Sequence, residues 1–303
     1  MLGDRADIHD YDDATTERLL GIAADVLRSF GSAFGGKHLA IVGGAVPSLL
    51  VPEPPRGIER HAGTGDLDLH LSLHLMDGET ADYYQAIVDG LRRLGLRPDR
   101  QNGRDIKWRW VGRHREIRVQ VEFLCPVRQR SGKAEDPAAG TPAEANIGRS
   151  GEITALAVGY GHLVLEDTIT VERRVETSRG LLSYEFPIAG VASWVCLKTD
   201  AMMRRDKPKD AYDIVWLADA LGPAGAAQVI KASPLLSGDN AEDVRAQLTR
   251  LARDQFHNIE SIGPQAYADF LGDGTNPALK RHAMGTITAL YDELVAQGVV
   301  PGP

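Results

Sequence analysis

Asp66-Leu67-Asp68-Leu69-His70-Leu71-Ser72-Leu73 alternates strictly between polar and apolar residues, the period-two mark of a β-strand with one buried face. Leu67, Leu69, Leu71 and Leu73 are expected to face a core, with Asp66, Asp68, His70 and Ser72 on the opposite face. Upstream, Leu19, Leu20, Ile22, Ala23, Val26, Leu27 and Phe30 recur at helical spacing, which predicts a helix over 15–34. Residues 38–42 read as a short strand running into Gly43-Gly44, and 45–51 as a short helix closed by Pro52, Pro54 and Pro55. Helix, strand, glycine turn, helix and acidic strand together predict an α/β (α+β) fold.

Downstream, a helix is expected near 80–94, followed by a hairpin. In it Ile106, Trp108 and Trp110 alternate with Lys107 and Arg109, and Ile117, Val119, Val121 and Phe123 alternate with Arg118, Gln120 and Glu122. This places Glu122 on a polar sheet face. Residues 126–150 lack periodicity and read as a long surface loop. Two or three short strands are expected over 153–187. Beyond Pro187 the pattern is helical only, near 188–205, 208–221, 223–232, 240–258 and 277–297. The expected organisation is a mixed-sheet α/β domain over 1–187 and an all-helical domain over 188–303.

The 303 residues suit two units of about 150 residues each. A content of 43% hydrophobic and 25% charged residues excludes the disordered, collagen-like and disulfide-scaffold classes. Cys125 and Cys196 lie in no C-x-x-C or Cys/His cluster and read as buried thiols. No apolar run approaches the ~18 residues of a membrane span. The amino terminus is acidic through Asp12 and Asp13, without a positive and apolar signal segment, so a cytoplasmic protein with no membrane partner is expected.

The net charge of −8 disfavours a general nucleic-acid coat. Its distribution is uneven, however. Residues 92–130 hold twelve Arg or Lys against four acids, which makes that strip +8 and the remainder −16. Arginines beside Trp108 and Trp110 suit a polyanionic acceptor such as RNA; the alternative is surface balancing over core tryptophans.

Gly31-Ser32-Ala33-Phe34-Gly35-Gly36-Lys37-His38 nearly spells the phosphate loop G-x-x-x-x-G-K-[ST]. It ends in His38 where a hydroxyl is needed, and it leaves a helix to enter a strand, the reverse of the order that aims a helix amino terminus at phosphate. The stronger constellation is Gly43-Gly44 with Asp66-x-Asp68. Two carboxylates on one strand face can hold Mg²⁺ (or Mn²⁺) through hard oxygen ligands. A glycine pair at a strand-to-helix turn lets backbone N–H groups approach phosphate oxygens. Glu122 offers a third carboxylate. Read as plain structure, the same residues are a solvated strand face, a turn and a Glu122–Arg118 pair. His70 and His74 share a strand face without zinc-site spacing and read as bystanders.

Gly43-Gly44, Thr64-x-Asp66-x-Asp68-Leu69 and a strand carrying Glu122 resemble the nucleotidyltransferase fold of the DNA polymerase β superfamily. The run from Leu197 to Ile214 is similar to the K-x-x-A-x-x-x-R-x-x-x-K-D-x-x-D-[LI] signature of the AbiEii/AbiGii toxin family, which includes the MenT-like toxins. The resemblance covers about 38–220. It implies Mg²⁺-dependent transfer of a nucleoside monophosphate from an NTP, in several members to the 3′ end of tRNA, by the toxin of a toxin–antitoxin pair. Carried over, it implies that Gly43 and Gly44 cradle the triphosphate and that Asp66, Asp68 and Glu122 bind metal. Lys198 and Arg204 then contact nucleotide, and Asp210 and Asp213 complete the site from the helical domain. Taken alone, Asp210 and Asp213 share a helix face at a spacing of three, and Asp210 also suits a helix cap after Pro208. The expected function is nucleotidyl transfer, with RNA as acceptor and a cognate antitoxin as partner. Rival readings are nucleotidylation of a small hydroxyl acceptor and a non-catalytic nucleotide- or partner-binding protein.

Overall fold

The computed structural model describes residues 7–11, 13–29, 39–71, 81–114, 117–127, 129–130, 133–134, 144–147 and 151–302. The chain is a mixed α/β protein built from two compact units that alternate along the sequence. Residues 13–46 and 64–189 form a sheet unit; residues 1–12, 47–63 and 190–303 form a helical unit.

In chain order the elements up to residue 189 are α1 (Asp13–Ser29), β1 (Leu39–Val42), α2 (Ala45–Leu50), β2 (Leu67–Leu71), α3 (Ala81–Arg93), β3 (Arg97–Gln101), β4 (Arg104–His114) and β5 (Ile117–Pro126). They continue with β6 (Gln129–Arg130), β7 (Lys133–Ala134), β8 (Glu144–Ile147), β9 (Ile153–Val158), β10 (Thr168–Thr177) and β11 (Gly180–Ala189). One mixed sheet runs β10-β11-β1-β2-β5-β4-β3, with β9 added to the end of β5 and β8 to β9. β2 is antiparallel to β1 and parallel to β5.

Leu67, Leu69 and Leu71 are buried as the alternation requires, and they pack with Leu39, Ile41, Val121 and Phe123. Leu19, Leu20, Ile22, Ala23 and Val26 of α1 and Ile87, Val88 and Leu91 of α3 are buried by the same amphipathic logic. Ser72, Leu73, His74 and the Gly31–His38 stretch lie outside the described residues.

Three expectations change. His70 is fully buried, not on an open polar face. The turn at Gly161 covers it, since a Cβ there would stand 2.7 Å from His70 Nε2. The stretch 126–150 contributes β8 to the sheet, paired with β9 from Glu144↔Leu156 to Ile147↔Ile153. A third strand, β3, joins the expected hairpin; its sequence Arg97-Pro98-Asp99-Arg100-Gln101 has no apolar alternation to announce it, and its register shifts between Pro98 and Asp99.

The helical unit holds α4 (Val191–Arg204), α5 (Lys209–Leu221), α6 (Pro223–Lys231), α7 (Ala241–Arg250), α8 (Ile262–Phe270) and α9 (Pro277–Ala296). Trp194, Cys196, Ile214, Leu217, Ile230, Phe270, Ile287 and Leu290 form its core. Strand gives way to helix at Ala189–Gly190. The expected 240–258 helix ends in a π turn over Leu251–Gln255. The unexpected α8 begins at Ile262-Gly263-Pro264, where proline in a first helical turn removes no intrahelical hydrogen bond. Both cysteines are buried, as expected. Among the described residues no helix is long and apolar enough to cross a membrane.

Candidate functional site

Two groups of expected site residues are built independently, one in each unit. In the sheet unit, Asp68 lies directly across from Glu122 in the β2–β5 register, and Glu122 from Arg109 in the β5–β4 register. Register partners project from the same face of a sheet, so Asp68, Glu122 and Arg109 stand in a row over three strands. Asp66 immediately precedes β2. Its Oδ1 accepts a 2.7 Å hydrogen bond from the Thr64 hydroxyl, and the Thr64 N–H donates to Thr16 Oγ1 of α1 at 3.0 Å.

Gly43 has φ +71°, a left-handed conformation that favours glycine. A Cβ at this residue would stand 1.8 Å from Asp68 Oδ2. The glycine turn and the second aspartate of Asp66-x-Asp68 are therefore packed on one another. Gly44 is buried in the same turn.

Glu122 is engaged by Arg109. Its Oε1 accepts from Arg109 Nε at 2.7 Å and from Gln120 Nε2 at 2.8 Å. Arg109 also approaches Asp99 at 3.7 Å and stacks over Trp108, 4.5 Å from the ring centroid. Trp110 is fully buried, so one of the two tryptophans is core and the other supports an arginine. Asp66 and Asp68 are a hard-oxygen pair of the kind that Mg²⁺ takes. Among the described residues no three His, Cys, Asp or Glu side chains converge as a metal-binding group.

In the helical unit, Lys198 of α4 donates to Asp210 Oδ1 at 2.6 Å and to Asp213 Oδ2 at 2.7 Å. The spacing of three on α5 turns both carboxylates toward it. Asp210 does not cap α5; Pro208 holds that position, and Arg205 clasps Asp210 through Nε at 2.8 Å and Nη2 at 2.9 Å. Arg204 points elsewhere, to Asp200 at 2.8 Å. Sequence reasoning passed over two further members, Lys209 and His61. Lys209 donates to Asp213 Oδ1 at 2.5 Å and lies over the Tyr11 ring. His61 Nε2 is 3.0 Å from the same oxygen.

Burial alone would raise the carboxyls of Asp210 and Asp213, yet Arg205 with Lys198 holds the first, and Lys198 with Lys209 the second, below the usual carboxylate range. Burial works against the Lys198 ammonium, and Asp210 and Asp213 outweigh it so that its pKa is raised. For Lys209 burial prevails and the pKa is lowered. Burial, with Lys209 beside it, pushes the His61 imidazole down to about 4.

The Gly63 N–H donates to His61 Nδ1 at 3.0 Å, so Nδ1 is the acceptor and Nε2 carries the proton given to Asp213. Ser48 Oγ also lies 3.1 Å from Nδ1. Ser48, His61 and Asp213 thus stand in the order of nucleophile, base and orienting acid. The Nδ1 lone pair that would take the Ser48 proton already accepts from the Gly63 N–H, and burial lowers the basicity of the ring, both of which work against general-base action on the serine. A cavity of about 250 Å³ beside α1 and β10, lined by Glu17, Arg18, Asp25, Arg174 and Glu176 among others, includes none of these groups. No protein-family model matches this sequence, and no curated protein matches it.

Proposed function

We propose that this protein is a Mg²⁺-dependent nucleotidyltransferase of the AbiEii/AbiGii (MenT-like) type, a cytoplasmic toxin that moves a nucleoside monophosphate from an NTP to RNA, with the tRNA 3′ end as acceptor and a cognate antitoxin as partner. The observation that carries this reading is the seating of Asp68 Oδ2 against Gly43. A glycine turn fit for phosphate and a carboxylate pair fit for a cation are then one construction and not two coincidences.

Asp66 and Asp68 are the residues that would hold Mg²⁺ or Mn²⁺, which supplies charge neutralisation at the triphosphate when bound. Thr64 holds the Asp66 carboxylate in place before β2. Gly43 and Gly44 present backbone without side chains toward phosphate. Lys198 has three ammonium donors, two of them given to Asp210 and Asp213, and it also lies 5.8 Å from the Trp194 ring centroid; the third donor is the one this reading assigns to a phosphate oxygen. Arg204, exposed on one side and held by Asp200, is the second nucleotide contact of this reading.

Glu122 completes the acidic row, its charge balanced by Arg109. RNA is favoured over a small hydroxyl acceptor by the sheet face beyond that row. There Arg113 lies directly opposite Arg118, and Arg97 opposite Val111, all three arginines exposed.

Incubation with labelled NTPs, Mg²⁺ and total RNA tests this, with labelled RNA expected from the wild type and none from Asp66→Ala. Equal labelling by Asp66→Ala rejects the metal-site assignment. Label that survives RNase on small molecules supports the small-acceptor rival, and NTP binding without pyrophosphate release under any acceptor supports a binding protein.

A further inference from the structure

The segment before Thr64 is fastened to a single helix. Trp216 Nε1 of α5 donates to Glu59 O at 2.9 Å, Ala62 N–H donates to Tyr212 Oη at 2.9 Å, and His61 Nε2 donates to Asp213 Oδ1 at 3.0 Å. The His61 ring is also flanked by Tyr212 and Trp216, with centroids 5.3 and 4.9 Å away. Asp213 has two oxygens and three donors. Oδ1 serves His61 and Lys209, and Oδ2 serves Lys198. Because the Gly63 N–H fixes the ring tautomer, His61 can only donate to Asp213 and cannot compete for Lys198.

We propose that His61 is a positioning residue for NTP binding: its Nε2–H locks the Asp213 carboxylate so that Oδ2 alone faces Lys198, which orients the remaining ammonium donor of Lys198 toward phosphate. Without that donor the plane of the carboxylate is held by Lys198 and Lys209 alone, and it tilts from the orientation that the His61 bond sets. Lys198 then keeps its charge and loses its direction, which weakens a directional hydrogen bond to phosphate more than it weakens long-range attraction. This inference rests on the nucleotidyl-transfer reading for the role of Lys198. The geometry that carries it is independent of the Asp66–Asp68 pair.

Two amide substitutions separate the two ring nitrogens. His61→Gln places an amide NH₂ near the position of Nε2 and keeps the donor to Asp213. His61→Asn places its amide near Nδ1, where it serves Gly63 and gives up Asp213. His61→Phe keeps the ring and removes both bonds.

The measurement is the affinity of the full-length protein for a non-hydrolysable NTP with Mg²⁺, together with KM and kcat for labelling, on folded fractions matched by circular dichroism. Expected is about tenfold weaker NTP binding for His61→Asn and His61→Phe, carried mainly in KM, with His61→Gln close to wild type. A merely structural role lowers the melting temperature of all three and leaves the affinity of the folded fraction unchanged, which overturns the inference. Equal losses for Gln and Asn overturn it as well. Wild-type protein that binds no NTP overturns the transfer reading and this inference together, whereas wild-type binding with an unchanged His61→Asn overturns this inference alone.

Discussion

Asp68 Oδ2 stands 1.8 Å from the point that a Cβ of residue 43 would occupy, and residue 43 is glycine at φ +71°. Both constraints fall on one atom. A methyl group here must displace the Asp68 carboxylate or the turn, and the left-handed backbone adds its own strain for any L side chain.

Gly43→Ala is therefore expected to destabilise the fold by about 1–3 kcal/mol and to reduce nucleotidyl transfer far more than that loss explains. Thermal melts alongside labelling check this, because a correctly placed Asp68 in the variant predicts activity in proportion to folded protein. Transfer at the wild-type rate per folded molecule contradicts the coupling between the turn and the carboxylate.

Thr64 bonds the Asp66 carboxylate at 2.7 Å and is itself pinned to Thr16 of α1. Thr64→Val removes the hydroxyl, keeps the β-branched shape and leaves the Thr64 N–H bond intact. Expected is about a tenfold fall in transfer, the worth of one oriented hydrogen bond to a charged group. Raising Mg²⁺ should recover part of it if Thr64 orients a metal ligand. Asp66→Asn, in contrast, should lose transfer at every Mg²⁺ concentration with little change in melting temperature. A Thr64→Val protein with unaltered Mg²⁺ dependence argues that the hydroxyl serves the backbone only.

The parts of this fold that were legible in sequence are those whose burial follows a local period. β2 from Leu67 to Leu71 and the helical run after Ala189 declare their buried faces within a few residues. β3 was hidden because Arg97-Pro98-Asp99-Arg100-Gln101 holds no apolar alternation and its strand pairing is set by the neighbouring β4. At His70 the pattern misleads, since a polar residue at an outward position is covered by a turn some ninety residues later. The Asp66–Asp68 pair and the Asp210–Asp213 pair could be found because their spacing places each on one face, whereas Lys198, on the preceding helix, is singled out only by the resemblance of the Leu197–Ile214 run to a family signature. His61 and Lys209 join Lys198, Asp210 and Asp213 through contacts across long sequence separations or inside a charge run, and a single sequence carries no local signal for either. Nothing local marks 47–63 as part of the helical unit.

The two buried imidazoles make stability depend on mild acid. Burial holds His61 to about 4 and His70 to about 3, against 6.5 for the free group. Between those values and 6.5 the unfolded chain binds protons that the folded chain refuses. Their contribution is thus present above pH 6.5 and lost as pH falls toward 4 and 3. With both residues acting, the unfolding free energy should drop by about 2–3 kcal/mol per pH unit through pH 5. The depressed carboxyls of Asp210 and Asp213 contribute stability above 3.8 and lose it only below that.

Among the described residues neither ring nitrogen of His70 has a hydrogen-bond partner, so His70→Leu should halve the slope and leave stability at pH 7.5 equal or about 1 kcal/mol higher. Urea unfolding at pH 7.5, 6 and 4.5 measures both effects. An unchanged slope in His70→Leu contradicts a buried neutral imidazole.

Arg113 and Arg118 face one another across β4 and β5 on the face that carries Glu122. Like charges directly opposite on a sheet oppose folding by about 0.2–1 kcal/mol, and an anionic polymer relieves that repulsion while folded protein gains a partner. Arg113→Gln with Arg118→Gln should therefore melt at a slightly higher temperature and bind RNA less well. Two fewer phosphate contacts on a single strand should lower the slope of log affinity against log salt by about 1.4. NTP affinity should not move, since neither arginine belongs to the Asp66–Asp68 pair or to the Lys198 cluster. A salt slope equal to that of the wild type rejects this face as the RNA track, and lost NTP affinity assigns the arginines to nucleotide instead.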